Sequence, residues 1–181
     1  MLRLSSYLFT IFIVFLSSNV ISKETSWSNA AESQVRLISP LDKNNFQNEF
    51  ILGLEYKLSK GWKTYWQSSG EGGFPQEIKW KKSKNIKKIE ILWPIPKYFE
   101  ILGFTSVGYT EEVIFPIRIE IEDINKETIV DLNINYLTCK EICIPGNANL
   151  VIMIPSGIGN FTEHYYNIEK ALSSVPKKIK E

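Results

Sequence analysis

The stretch Ile129-Val130-Asp131-Leu132-Asn133-Ile134-Asn135-Tyr136-Leu137 alternates apolar and polar side chains from Val130 onward. Successive strand side chains point to opposite faces, so this pattern predicts a half-buried β-strand with one wet face. The same period recurs on both sides of it. Downstream lies Leu150-Val151-Ile152-Met153-Ile154. Upstream lie Ile117-Arg118-Ile119-Glu120-Ile121-Glu122, Ile89-Glu90-Ile91-Leu92-Trp93, Leu52–Leu58, and Val35 and Leu37 around Arg36. Turn-forming residues separate these runs: Ser59-Lys60-Gly61, Ser69-Gly70-Glu71-Gly72-Gly73, Pro94-Ile95-Pro96 and Pro145-Gly146-Asn147. Several strands at short spacing predict an all-β sandwich.

Two segments depart from the strand pattern. Near the end, Thr162 is placed to N-cap a short helix, with Glu163 in its first turn. Ile168, Ala171 and Leu172 would share one face, and Pro176 would stop it. The stretch Trp93 to Tyr109 is irregular yet apolar, with Tyr98, Phe99, Ile101, Leu102 and Phe104 among Pro94, Pro96, Gly103 and Gly108. A loop this apolar must lie against something, either the core or a site that it covers.

The chain opens with Met-Leu-Arg, and Leu4 to Leu16 is almost free of polarity. A short positive region, an apolar run and small residues near a cut site describe a secretory signal, here residues 1–22 with cleavage near Ser22. The run is shorter than the ~20 residues of a membrane span; an uncleaved anchor is the alternative. Residues 23–181 then suit one domain. The full chain has 21 basic and 20 acidic residues, and without Arg3 the two signs balance. A nucleic-acid binder would show a basic face, so that class is set aside. The basic tail Lys177–Glu181 reads as a solvated end.

Most catalytic chemistry lacks its residues. The single histidine, His164, is expected at the surface of the helix, and a Ser-His-Asp or Cys-His arrangement has no other to use. Neither a P-loop nor a dinucleotide fingerprint occurs. Cys139, Cys143, His164 and Met153 make a poor metal set, and no cofactor is expected. Asn160-Phe161-Thr162 fits a glycosylation sequon, a match of low specificity.

What remains is Cys139-Lys140-Glu141-Ile142-Cys143. Two cysteines in an exported chain pair. They follow a strand and precede Pro145-Gly146, which places the bond at a hairpin end. Closing so short a loop stabilises by only about 2 kcal/mol on the loop-entropy model, less than a long-range bridge. Lys140 favours a thiolate at Cys139 and Glu141 partly opposes it. Spacing alone leaves a structural disulfide and a redox-active pair equally open.

Four blocks of sequence carry a resemblance. They are Gly61-Trp62-Lys63-Thr64-Tyr65-Trp66 with Ser69–Pro75 and Ile78-Lys79-Trp80; Leu92-Trp93-Pro94-Ile95-Pro96; Gly108-Tyr109 with Val113–Ile117; and Tyr136-Leu137-Thr138-Cys139 through Cys143-Ile144-Pro145. Together, over about residues 33–155, they resemble the N-terminal periplasmic domain of the thiol:disulfide interchange protein DsbD and the related ScsB-type reductases. The resemblance implies an immunoglobulin-like sandwich in the periplasm. It implies a domain that takes electrons from a transmembrane reductase and passes them to thioredoxin-fold partners such as disulfide isomerases or cytochrome c maturation proteins. By position, Cys139 and Cys143 match the redox cysteines, with Cys143 favoured to join the partner, and Tyr65 matches a tyrosine lining the site. Tyr98–Phe104 falls where the family has a cap, with Phe99 and Phe104 both candidates to cover the disulfide.

Two departures matter. Three residues separate the cysteines here, whereas the best-known members have a longer gap. The sequence to residue 181 holds no transmembrane module, so a donor on a separate chain is expected, and a monomer. The competing class is a binding domain with a structural disulfide, using edge strands or Trp62, Trp66 and Trp80, although core packing is the plainer reading of those tryptophans. A copper-related role is suggested only by the ScsB-type relatives.

Overall fold

The computed structural model describes residues 23–101 and 103–177. The expected signal segment, residues 1–22, and most of the basic tail lie outside the described residues. The elements are β1 Ser28–Ala30, β2 Ser33–Ile38, β3 Glu49–Leu58, β4 Lys63–Gly70, β5 Glu77–Lys79, β6 Ile86–Ile91, β7 Lys97–Ile101, β8 Phe104–Thr110, β9 Glu112–Ile121, β10 Thr128–Cys139, β11 Cys143–Ile154 and α1 Tyr165–Ser173. The strands form two antiparallel sheets, an immunoglobulin-like sandwich with a short C-terminal helix. One sheet runs β1-β2-β3-β9-β6 and the other β11-β10-β4-β8-β7, with β5 paired to β10.

The alternation read from the sequence sets which faces meet. On β10, Val130, Leu132, Ile134 and Tyr136 point inward, as do Leu150, Ile152 and Ile154 on β11. They pack against Leu52, Leu54 and Tyr56 of β3 and Phe115, Ile117 and Ile119 of β9. Burying each such aliphatic side chain stabilises by about 1.5–3 kcal/mol. Aromatic edges close the upper core, with Phe115 meeting Tyr56 at 5.5 Å and Tyr109 at 4.9 Å between ring centroids. Trp62, Trp66 and Trp80 are half-buried against this core.

The structure corrects several local expectations. The irregular stretch Trp93–Tyr109 is mostly a hairpin, with β7 and β8 paired from Lys97↔Gly108 to Ile101↔Phe104. Gly103, at φ 82°, occupies its turn. The expected turn Pro145-Gly146-Asn147 lies inside β11. Proline is tolerated there because β11 is an edge strand. Gly146 is required because a Cβ would come within 2.4 Å of the Tyr136 ring.

Thr162 does not cap the helix. Its hydroxyl donates to the Ser39 carbonyl and accepts from the His164 amide, which fixes the turn before the helix. His164 takes the N-cap position without a side-chain cap bond. Nor is His164 a surface residue: it is 7% exposed, with Nε2 2.7 Å from the Glu24 carboxylate. The reason is tertiary. The segment before the helix is bonded to Pro40 and the N-terminal segment bridges to Ile38, and His164 is held against the latter by Glu24. The helix itself buries Ile168 over Gly53 of β3, where a Cβ would lie 3.0 Å from Ile168.

Candidate functional site

Cys139 ends β10 and Cys143 begins β11, directly opposed in register and joined as a disulfide. The hairpin-end placement follows from the sequence, because Lys140-Glu141-Ile142 is long enough only for the turn. The two sulfur-bearing residues differ in access: Cys139 is fully buried and Cys143 is exposed. On β10 the even-numbered residues fill the main core, so Leu137 and Cys139 face the other side of the sheet. There they form a second, small buried cluster with Tyr65, and Phe99 packs against it.

Strand β4 supplies the tyrosine. It borders β10 through the pair Cys139↔Lys63, and Thr64 Oγ1 donates to the Leu137 carbonyl at 3.1 Å. Tyr65, two residues beyond Lys63, rises from the same face. Its hydroxyl donates to Cys139 Sγ at 2.9 Å and lies 3.9 Å from Cys143 Sγ. Burial pushes the Tyr65 phenol above its ordinary pKa, so it stays a proton donor at neutral pH.

The loop after β4 runs against the Tyr65 ring. A Cβ on Gly73, at φ 81°, would sit 2.1 Å from the ring, so the backbone lies directly on it. Ser69 Oγ donates to the Gly73 carbonyl, and Thr105 N donates to the Glu71 carboxylate at 2.8 Å, tying the loop to β8. Phe99 of β7 also packs beside that ring, its ring centroid 6.2 Å from that of Tyr65. Lys63 Nζ stands 5.6 Å from the Phe99 centroid.

The structure therefore brings Cys139, Cys143, Tyr65 and Phe99 together. Phe104 is apart from them, 54% exposed where the hairpin turns. Sequence reading passed over Lys63, Leu137 and Gly73. Period two from Tyr65 and from Cys139 would have found the first two. Gly73 was legible only as a turn residue, since its contact with Tyr65 is tertiary. The arrangement suits disulfide chemistry at one sulfur. Attack at the accessible Cys143 expels the Cys139 thiolate toward the Tyr65 hydroxyl, a charge-assisted hydrogen bond. Among the described residues no group of three or more His, Cys, Asp or Glu could hold a metal ion.

Comparison with known proteins bears on the fold and the family of the chain. Residues 34–155 match the family model of the thiol:disulfide interchange protein DsbD, N-terminal. The crystal structure of the N-terminal periplasmic domain of ScsB from Proteus mirabilis is similar at 28% identity and a TM-score of 0.69, over 85% of this chain. The match spans 60% of that ScsB chain. The reduced N-terminal domain of Neisseria meningitidis DsbD aligns at 13% identity and a TM-score of 0.38, over 71% of this chain and 90% of its own. No curated protein matches the chain in sequence. No described helix is long and apolar enough to cross a membrane. With two thirds of its length matched by the family model and its cysteine pair at the end of the β10–β11 hairpin, the chain belongs to the DsbD N-terminal domain family.

Proposed function

We propose that this domain works in the periplasm as a thiol–disulfide relay, taking two electrons from a DsbD-type membrane reductase and passing them to thioredoxin-fold proteins. The observation that carries this reading is the asymmetry of the pair: Cys143 is exposed, while Cys139 is buried with its sulfur under the Tyr65 hydroxyl. A structural staple needs no such polarity.

In the receiving step a donor thiolate attacks Cys143 Sγ. The Cys139–Cys143 bond breaks, and Cys139 leaves as a thiolate held by the Tyr65 hydroxyl. The donor's second thiol then attacks the mixed disulfide, leaving the donor oxidised and Cys143 reduced. In the delivering step the Cys143 thiolate attacks a partner's disulfide and the partner's leaving sulfur takes a proton. Cys139 resolves the mixed disulfide, which restores the Cys139–Cys143 bond and releases the reduced partner. Phe99 packs on the cluster that holds Cys139, so a partner seated on Cys143 would meet its ring beside the site. Disulfide isomerases and cytochrome c maturation proteins are the partner classes that this chemistry serves.

The test is mixed-disulfide trapping. Reduced Cys139→Ser should accumulate a covalent complex with an oxidised thioredoxin-fold protein through Cys143, and reduced Cys143→Ser should form far less. Equal trapping by both variants, or none by either, contradicts the relay and favours a structural bond in a binding domain.

A further inference from the structure

Lys63 takes no part in the steps above, yet its placement is specific. It is the register partner of Cys139 across β4 and β10, so the two side chains rise from one face. Tyr65 rises from that face two residues further on. The Lys63 ammonium stands 5.6 Å from the Phe99 ring centroid and donates to the Gly61 carbonyl at 3.3 Å. A lysine arm is flexible, and these contacts hold its charge on the face of the sheet from which Cys139 rises.

Other charges surround the pair. The turn between the cysteines carries Lys140 and Glu141, and the turn before β4 carries Lys60. Strand β7 carries Lys97 and Glu100, and the loop after β4 carries Glu71, whose carboxylate accepts from Thr105 N. Lys140 leans over Gly61, where a Cβ would meet its Cε at 3.2 Å, and it is exposed to solvent that screens it. Lys63 is half-buried and is the cation paired directly with Cys139.

We propose that Lys63 is the cation that stabilises the Cys139 thiolate, and that it thereby tunes how readily the pair accepts electrons. The charge arises when the Cys139–Cys143 bond breaks: both bonding electrons stay on Cys139 Sγ, and Cys143 Sγ bonds to the donor sulfur. A cation beside that sulfur lowers the energy of the leaving thiolate without supplying a proton. Phe99 has a second effect here, since its ring face fixes the ammonium that acts on Cys139. The inference rests on the relay reading for its catalytic meaning, but the acidity of Cys139 can be measured whether or not the relay operates.

The experiment uses the chain with Cys143→Ser, so that Cys139 is the one thiol, and follows its alkylation by iodoacetamide against pH, read by mass. Adding Lys63→Met should cut the thiolate fraction at neutral pH about threefold to tenfold. Lys63→Gln should do the same, which covers a failure of the methionine variant to fold. Lys63→Arg should restore the parent profile, and Lys140→Met should shift it less than Lys63→Met. The Lys63→Met effect should shrink in about 1 M salt. A Lys63→Met or Lys63→Gln profile that overlays the parent overturns the inference, as does an arginine variant as impaired as the methionine one. Failure of the relay appears instead as absent trapping by Cys139→Ser, a separate result.

Discussion

At the scale of single residues, the site depends on one hydroxyl. Tyr65 Oη donates to Cys139 Sγ at 2.9 Å from a ring in contact with Gly73 and packed near Phe99. A hydrogen bond to a charged group contributes about 1.5–3 kcal/mol, and one pKa unit corresponds to about 1.4 kcal/mol. Tyr65→Phe keeps the ring and removes the donor. It should therefore raise the Cys139 thiol pKa by about one unit and shift the pair toward the disulfide, measured by alkylation profiles and by equilibration in thiol buffers. An unchanged profile would mean that the hydroxyl serves packing alone. In the sequence, Cys139 and Cys143 stand out as the two cysteines, while Tyr65 was offered only by the family resemblance. The sequence could not separate Phe99 from Phe104, because both are aromatic and both sit in one apolar stretch. The hairpin puts Phe99 within β7 and Phe104 at the turn, and the packing of Phe99 on Tyr65 is a tertiary fact.

At the scale of elements, the β7–β8 hairpin borders the site. It carries Phe99 to Tyr65 and is joined to the loop after β4 through Thr105 and Glu71. Phe99→Ala should let dithiothreitol reduce the disulfide faster, read by quenched alkylation. Because Phe99 is only half-buried, the loss of stability should be about 1.5–2.5 kcal/mol, roughly half that of a buried Phe→Ala change. An unchanged reduction rate would show that the hairpin does not limit access. Strands with one wet face were legible from alternation, as in β3, β9 and β10. β7 and β8 were not, because β8 alternates weakly and glycine and proline interrupt the region. His164 was misplaced for a related reason: nothing local in Thr162-Glu163-His164 reveals that Glu24, far away in sequence, comes to lie 2.7 Å from its ring.

At the scale of the whole molecule, two sheets share one core, and the disulfide cluster lies on the far side of the second sheet from it. Chemistry at the disulfide is thus separated from the packing that sustains the fold. Tyr56, Tyr109 and Tyr136, inside the core, and Tyr65 outside it all have phenols raised above their ordinary pKa, chiefly by burial. In the unfolded chain these groups release protons near pH 10, while the folded chain retains them. Above that pH the unfolded state binds fewer protons, so stability declines as pH rises. This contribution is fully present below about pH 9, and urea midpoints should fall between about pH 10 and pH 11. For fully buried Tyr56 the limiting slope is about 1.4 kcal/mol per pH unit. A midpoint constant through that window would contradict the burial of these hydroxyls.

The central claim is that the Cys139–Cys143 bond is made to be exchanged. Its most direct test is the reduction potential of the pair in residues 23–181, from equilibration in thiol–disulfide buffers with alkylated thiols counted by mass. The relay predicts a value between about −180 and −270 mV, among known exchange catalysts. A value below about −300 mV, with no exchange with a thioredoxin-fold protein, would mark the bond as structural and contradict the account.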